Sequence, residues 1–200
     1  MVLVSSKAEI SLRVMIFIDA GYFTDHWLKN ECRIPRDQFN FRQFSKKISI
    51  GFTDLRNPRL IRTYYYDGLP DERHAKKFGE QKKFHDNLNR LMGNFQVRVG
   101  KMEKRKGEWV QKGVDAVLAV DMVEKAFLDQ YDVAIIIAGD QDHLPAVEAV
   151  KNRGKQVFGV YYEGSYSSKL INAFDLGYVL EVNSDGSSFV IPKGTKEIQQ

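Results

Sequence analysis

Two short apolar runs restrict this chain more than any other feature. Arg13-Val-Met-Ile-Phe-Ile18 and Val133-Ala-Ile-Ile-Ile137 are unbroken and rich in β-branched residues. A run this short that is apolar at every position predicts a strand buried on both faces, which means a parallel sheet with helices above and below. The first run ends at Asp19-Ala-Gly21 and is expected to pass into a loop.

The segments around these two runs alternate between strand and helix patterns. A short helix is expected over Phe41–Ile50, and a strand over Arg59–Tyr66 stopped by Asp67-Gly68. Asp71–Met92 predicts a helix, bent or broken near Gly79. Phe95-Gln-Val-Arg-Val99 alternates apolar and polar residues and predicts a half-exposed strand continuing to Met102. A turn at Lys104-Arg-Lys-Gly107 and a return strand from Glu108 follow. Helices are expected over Gly113–Asp129, Asp142–Arg153 and Ser168–Phe174, and strands over Asp132–Ala138, Gln156–Tyr162 and Tyr178–Val182. Strand–helix alternation of this kind predicts an α/β fold, with a mostly parallel sheet covered on both faces. The expected organisation is an N-terminal extension over 1–12, one domain over 13–182 and a polar tail over 183–200.

Several classes are excluded. The single cysteine, Cys32, rules out an internal disulfide and a thiolate zinc site. No apolar run reaches the roughly 18 residues that cross a bilayer. No secretory leader pattern opens the chain, so a cytoplasmic setting is expected. No G-x-G-x-x-G follows the first strand and no G-x-x-x-x-G-K-[ST] occurs, so no nucleotide cofactor is expected. Asp19 is followed by Ala20 and Gly21 rather than by a second acid, and no G-x-S-x-G is present. The formal net charge is +4, but Asp71–Lys112 holds twelve Lys and Arg against six Asp and Glu. Local excess of that size suggests a polyanionic partner, or else a solvated helix face and hairpin tip.

In sheets of this type, ligands sit beyond the carboxyl ends of the strands where the strand order reverses. Asp19 follows the first buried run, and Gly139-Asp140-Gln-Asp142-His143 follows the second. Asp115 opens the helix after the hairpin, with Asp121 six residues on. Two like charges about 5 Å apart at an effective dielectric of about 20 repel by roughly 3 kcal/mol, so such a cluster calls for a cation. Oxygen ligands select Mg²⁺ or Mn²⁺. Each acid also has a plainer role. Asp19 and Asp142 suit cap positions, Asp115 suits a helix first turn, and Asp121 has Lys125 at i+4. His143 suits a phosphate contact or a surface position, and Tyr64-Tyr-Tyr66 suits base stacking or core packing. An Asp140-x-Asp142 pair also occurs in Toprim-like enzymes, which need a Glu where Asp19 stands.

Phe17-Ile-Asp-Ala-Gly-Tyr22, Lys112-Gly-Val-Asp115 with Leu118 and Asp121, and Ala134-Ile-Ile-Ile-Ala-Gly-Asp-Gln-Asp142 resemble the NYN domain, and more narrowly its LabA-like branch within the PIN-like nucleases. The resemblance spans roughly Arg13 to Val182. It implies a three-layer α/β/α sandwich and a Mg²⁺- or Mn²⁺-dependent ribonuclease that leaves 5′-phosphate and 3′-hydroxyl ends. It places Asp19, Asp115, Asp140 and Asp142 as catalytic and metal-binding, with Asp121 second to them. Lys112, His143, Tyr22, Lys104, Arg105 and Lys106 are the expected substrate-binding residues. The family motif usually reads Ser-Gly-Asp-Ser-Asp-Phe where this chain has Ala138-Gly-Asp-Gln-Asp-His143, and the Asn that often follows the first acid is replaced by Tyr22 nearby. The alternative expectation is a weakly active or inactive NYN-fold module that binds RNA or protein.

Overall fold

The structure is a computed structural model. It describes residues 11–51, 55, 57–91, 93–105, 108–182 and 189–190, with backbone alone at 91, 103–105, 108–111, 182, 189 and 190. Seven strands form the main sheet: β1 (Arg13–Asp19), β2 (Arg59–Pro70), β3 (Phe95–Arg105), β4 (Glu108–Lys112), β5 (Val133–Ile137), β6 (Gln156–Tyr161) and β7 (Leu176–Val179). Their order is β4-β3-β2-β1-β5-β6-β7. All neighbours are parallel except β3 and β4, which form an antiparallel hairpin. The helices are α1 (Phe41–Gly51), α2 (Ala75–Leu91), α3 (Val114–Phe127), α4 (Leu144–Asn152) and α5 (Ser168–Ala173). Residues Glu181–Val182 and Phe189–Val190 pair as a small separate hairpin.

Side-chain alternation along β2 sorts the helices between the two faces. Tyr65 packs edge-on against Phe41 of α1 and Phe84 of α2. Tyr64 and Tyr66 point the other way, toward α3, where Lys125 lies over the Tyr64 ring and the Tyr66 hydroxyl donates to Asp121. The α4 helix packs beside α3 on that second face, and α5 packs on α4. All three tyrosines are buried, so the triplet is core and offers no stacking surface. Phe17 of β1 stacks on Tyr64 and Tyr66 at 5.7 and 6.4 Å. Two residues further on, by the period of a strand, Asp19 faces the same α3 layer.

Several elements differ from the expected ones: the last strand of the sheet, expected over Tyr178–Val182, runs over Leu176–Val179, and Glu181–Val182 pairs separately. Gly21–Glu31 is a π-helix and not a loop. Its buried residues are Tyr22, Phe23 and Thr24, then Trp27 and Leu28, with the buried Cys32 at its C-cap; the apolar pairs recur after five residues, which suits the wider π turn rather than the 3.6 of an α-helix. The Cys32 amide donates to the Trp27 carbonyl at 3.1 Å, five residues back. Strand β2 runs past Asp67-Gly68 to Pro70, because Gly68 to Pro70 pair with Gly100 to Met102 of β3. The buried Asp67 carboxylate is satisfied there by Gln81 and His85 of α2 and by the Gly68 amide. Helix α2 continues through Gly79 without a break.

Candidate functional site

The chain runs from β1 outward to β2 and β3, then returns to β5 on the other side of β1. The strand order therefore reverses between β1 and β5, and a crevice opens beyond their carboxyl ends. Three side chains from three elements meet in it. Asp19 ends β1, Asp115 lies in the first turn of α3, and His143 closes the short 3₁₀ turn that follows β5. One ligand-capable atom from each lies within 4.8 Å of the others.

Local geometry explains each placement. Gly113 precedes α3 with φ of 75°, a left-handed conformation that a glycine adopts without strain, and it turns the chain from the hairpin into the helix. Asp115 follows two residues later. Asp140 caps the 3₁₀ turn, its Oδ1 accepting from the Asp142 amide at 3.0 Å. That cap swings His143 inward, where it is 1% exposed, while Asp140 and Asp142 stay exposed at the rim. Gly139 lies so close to Tyr22 and to the Ser165 carbonyl that a Cβ would overlap both.

Electrostatics follow from this crowding. Burial first, and then the charge of Asp19 with those of Asp140 and Asp142, raise the Asp115 carboxyl above its ordinary range. Burial on its own would lower the His143 pKa, but Asp19, Asp115 and Asp140 outweigh it and the net shift is upward. The His143 Nε2 is 3.9 Å from Asp19 Oδ2, beyond hydrogen-bond reach. Among the described residues, neither ring nitrogen has a hydrogen-bond partner. An unpaired buried polar group costs about 1–3 kcal/mol, so this imidazole needs a partner that a bound cation would supply. Two carboxylates and an imidazole form a donor set that fits a divalent metal ion.

The other expected residues fall in several places. Tyr22 walls the crevice, but its hydroxyl is committed to the fold: it donates to the Ser165 carbonyl at 2.7 Å and accepts from the Tyr162 amide at 3.1 Å. Asp121 is away from the trio, in a buried network with Lys125 Nζ at 2.7 Å, the Tyr66 hydroxyl at 3.0 Å and the Arg98 guanidinium at 3.1 Å. Lys112 is exposed just before Gly113 and lines a groove with Arg73, His74 and Lys101. Lys104 and Arg105 are described by their backbone in β3 alone, and Lys106 lies outside the described residues.

The sequence places His143 at the substrate; the structure sets it beside Asp19 and Asp115 in a group that could hold a metal ion. His26, Tyr166 and Ser167, which the sequence does not single out, line the roughly 500 Å³ cleft in front of Asp19 and Asp140. No local signal marked those three, since they reach the cleft only through tertiary packing. Among the described residues, no helix is long and apolar enough to cross a membrane.

Comparison with known proteins bears on the same region. The NYN domain family matches residues 13–181. An uncharacterized protein of Methanocaldococcus jannaschii is 35% identical over 72 residues, covering 36% of this chain and 29% of that protein. The chain thus spans under a third of the length of this curated relative. A crystal structure of a Vibrio parahaemolyticus protein of unknown function superposes with a TM-score of 0.61 at 20% identity, covering 86% of this chain and 94% of the other, which is a likeness of fold.

Proposed function

This chain belongs to the NYN domain family, and on that footing we propose that it is a divalent-metal-dependent nuclease, acting on RNA, in the LabA-like branch. The observation that carries the reading is the meeting of Asp19, Asp115 and a buried His143, whose ring nitrogens accept or donate no hydrogen bond among the described residues, at the reversal of strand order. In this reading Asp19 and Asp115 hold Mg²⁺ or Mn²⁺, with Asp140 and Asp142 at the rim. The ion, when bound, neutralises charge at the scissile phosphate and makes water acidic enough to serve as nucleophile near neutral pH.

The chain's own residues do the positioning. Asp140 fixes the turn that presents the site, through its bond to the Asp142 amide. Tyr22 ties the π-helix to the 162–165 loop and so sets one wall of the crevice. The groove beside the start of α3 offers His74, Lys101 and Lys112 to a phosphodiester backbone, with Arg73 held there by Asp71, and Glu72 also at the edge. This groove and the basic excess of Asp71–Lys112 support a polyanionic substrate over a small one. A reducing, cytoplasmic setting belongs to the same proposal.

The test is cleavage of labelled single-stranded and structured RNA with Mn²⁺, Mg²⁺ or EDTA, beside Asp115→Asn. Metal-dependent cleavage that falls to background in the variant is the expected result. Cleavage by Asp115→Asn at the parent rate would overturn the assignment. Salt-sensitive RNA binding with no cleavage by the parent would leave a binding module in its place.

A further inference from the structure

We infer that His143 is a direct nitrogen ligand of the metal ion, so the site prefers a first-row transition ion such as Mn²⁺ to Mg²⁺. The inference rests on the metal-dependent reading above and sharpens it. The ring is 1% exposed, so it cannot reach a phosphate or a proton acceptor in solvent. Nor do the described residues satisfy it as a core histidine, because among them neither nitrogen has a hydrogen-bond partner. It is not hydrogen-bonded to the acids, since Nε2 stands 3.9 Å from Asp19 Oδ2. What remains is a ring aimed at two carboxylates, with one donor atom of each of the three residues inside 4.8 Å. Donor atoms sharing one ion at about 2.0–2.4 Å lie no more than about 4–5 Å apart, and this trio meets that bound with little adjustment.

The nature of the donor sets the preference. Mg²⁺ takes oxygen ligands and keeps its own waters, so an imidazole adds little to its binding. Imidazole does favour first-row transition ions, of which Mn²⁺ is the weakest binder and therefore the most stringent probe.

The experiment uses the full chain and the metals alone. Mn²⁺ and Mg²⁺ are titrated by calorimetry into the parent, Asp19→Asn and His143→Phe, and the Mn²⁺ complex is examined by pulsed electron paramagnetic resonance for ¹⁴N coupling. The parent is expected to bind Mn²⁺ about tenfold or more tightly than Mg²⁺ and to show an imidazole ¹⁴N signal. His143→Phe should lose that signal and about tenfold in Mn²⁺ affinity, with Mg²⁺ affinity held within about twofold. If His143→Phe does not fold, the ¹⁴N signal of the parent decides alone. Mn²⁺ bound without nitrogen coupling, or with equal affinity for both ions, overturns the nitrogen ligand while leaving the nuclease reading intact. No binding of either ion to the parent overturns both.

Discussion

Asp115 shows how a single side chain records the strain of the site. Its carboxyl is raised by burial and by neighbouring charge. A raised acid stabilises the fold fully below its ordinary pKa and loses that contribution as pH climbs through the folded value, so at neutral pH the ionised group opposes folding. Asp115→Asn is therefore expected to melt above the parent at pH 7 without metal, and to match it below about pH 4. Added Mn²⁺ should reverse the order. At about 100-fold excess over Kd the parent gains about 2.7 kcal/mol, and the variant gains less. Calorimetric melts at both pH values check this. At this scale the acids were legible in the sequence, since Asp19 and Asp140 follow recognisable buried runs. The burial of His143 was not. Its inward turn depends on the Asp140 cap and on α3 closing over it, and residue spacing encodes neither.

The elements that shape the crevice meet at Gly139, where the Tyr22 ring of the π-helix and the Ser165 carbonyl close in together. A methyl there must push one of them aside. Gly139→Ala is expected to cost about 1–3 kcal/mol, seen as a lower urea midpoint at unchanged slope, and to weaken metal binding because Asp140 moves with the turn. Strand and helix order was legible because each buried strand is an uninterrupted apolar run and the helices carry regular apolar spacing. The π-helix was not, because its five-residue recurrence of apolar pairs fits neither the strand nor the α-helix period. The extension of β2 was hidden for a different reason. Asp67-Gly68 looks like a turn until α2 supplies Gln81 and His85 to the buried acid.

At the scale of the whole molecule, an acidic crevice and a groove carrying four basic side chains lie side by side, although Asp71 and Glu72 also line that groove and Asp71 pairs with Arg73. The acids gather at the β1–β5 crevice, while Arg73, His74, Lys101 and Lys112 line a groove that adjoins it at the start of α3. A polyanion lying in that groove would have its backbone led toward Asp115. Lys101→Ala and Lys112→Ala should each lower the salt dependence of RNA binding by about one unit of log K against log salt, with little change in the metal-only titration. A filter-binding series over several salt concentrations measures this, and unchanged slopes would place the RNA path elsewhere. The sandwich and its reversal of strand order followed from the alternation of patterns, whereas the groove depended on β2 pairing with β3 beyond the expected end of β2.

The three donor groups stand at positions 19, 115 and 143, on a strand, a helix and a turn that only the finished sheet brings together. An unfolded chain holds no such trio, so ion occupancy reports the native population directly. Proteolytic lifetime then becomes a function of metal supply. If the proposed ion binds there, a medium rich in it is expected to protect the protein from digestion, and a chelator to shorten its survival before any substrate is involved.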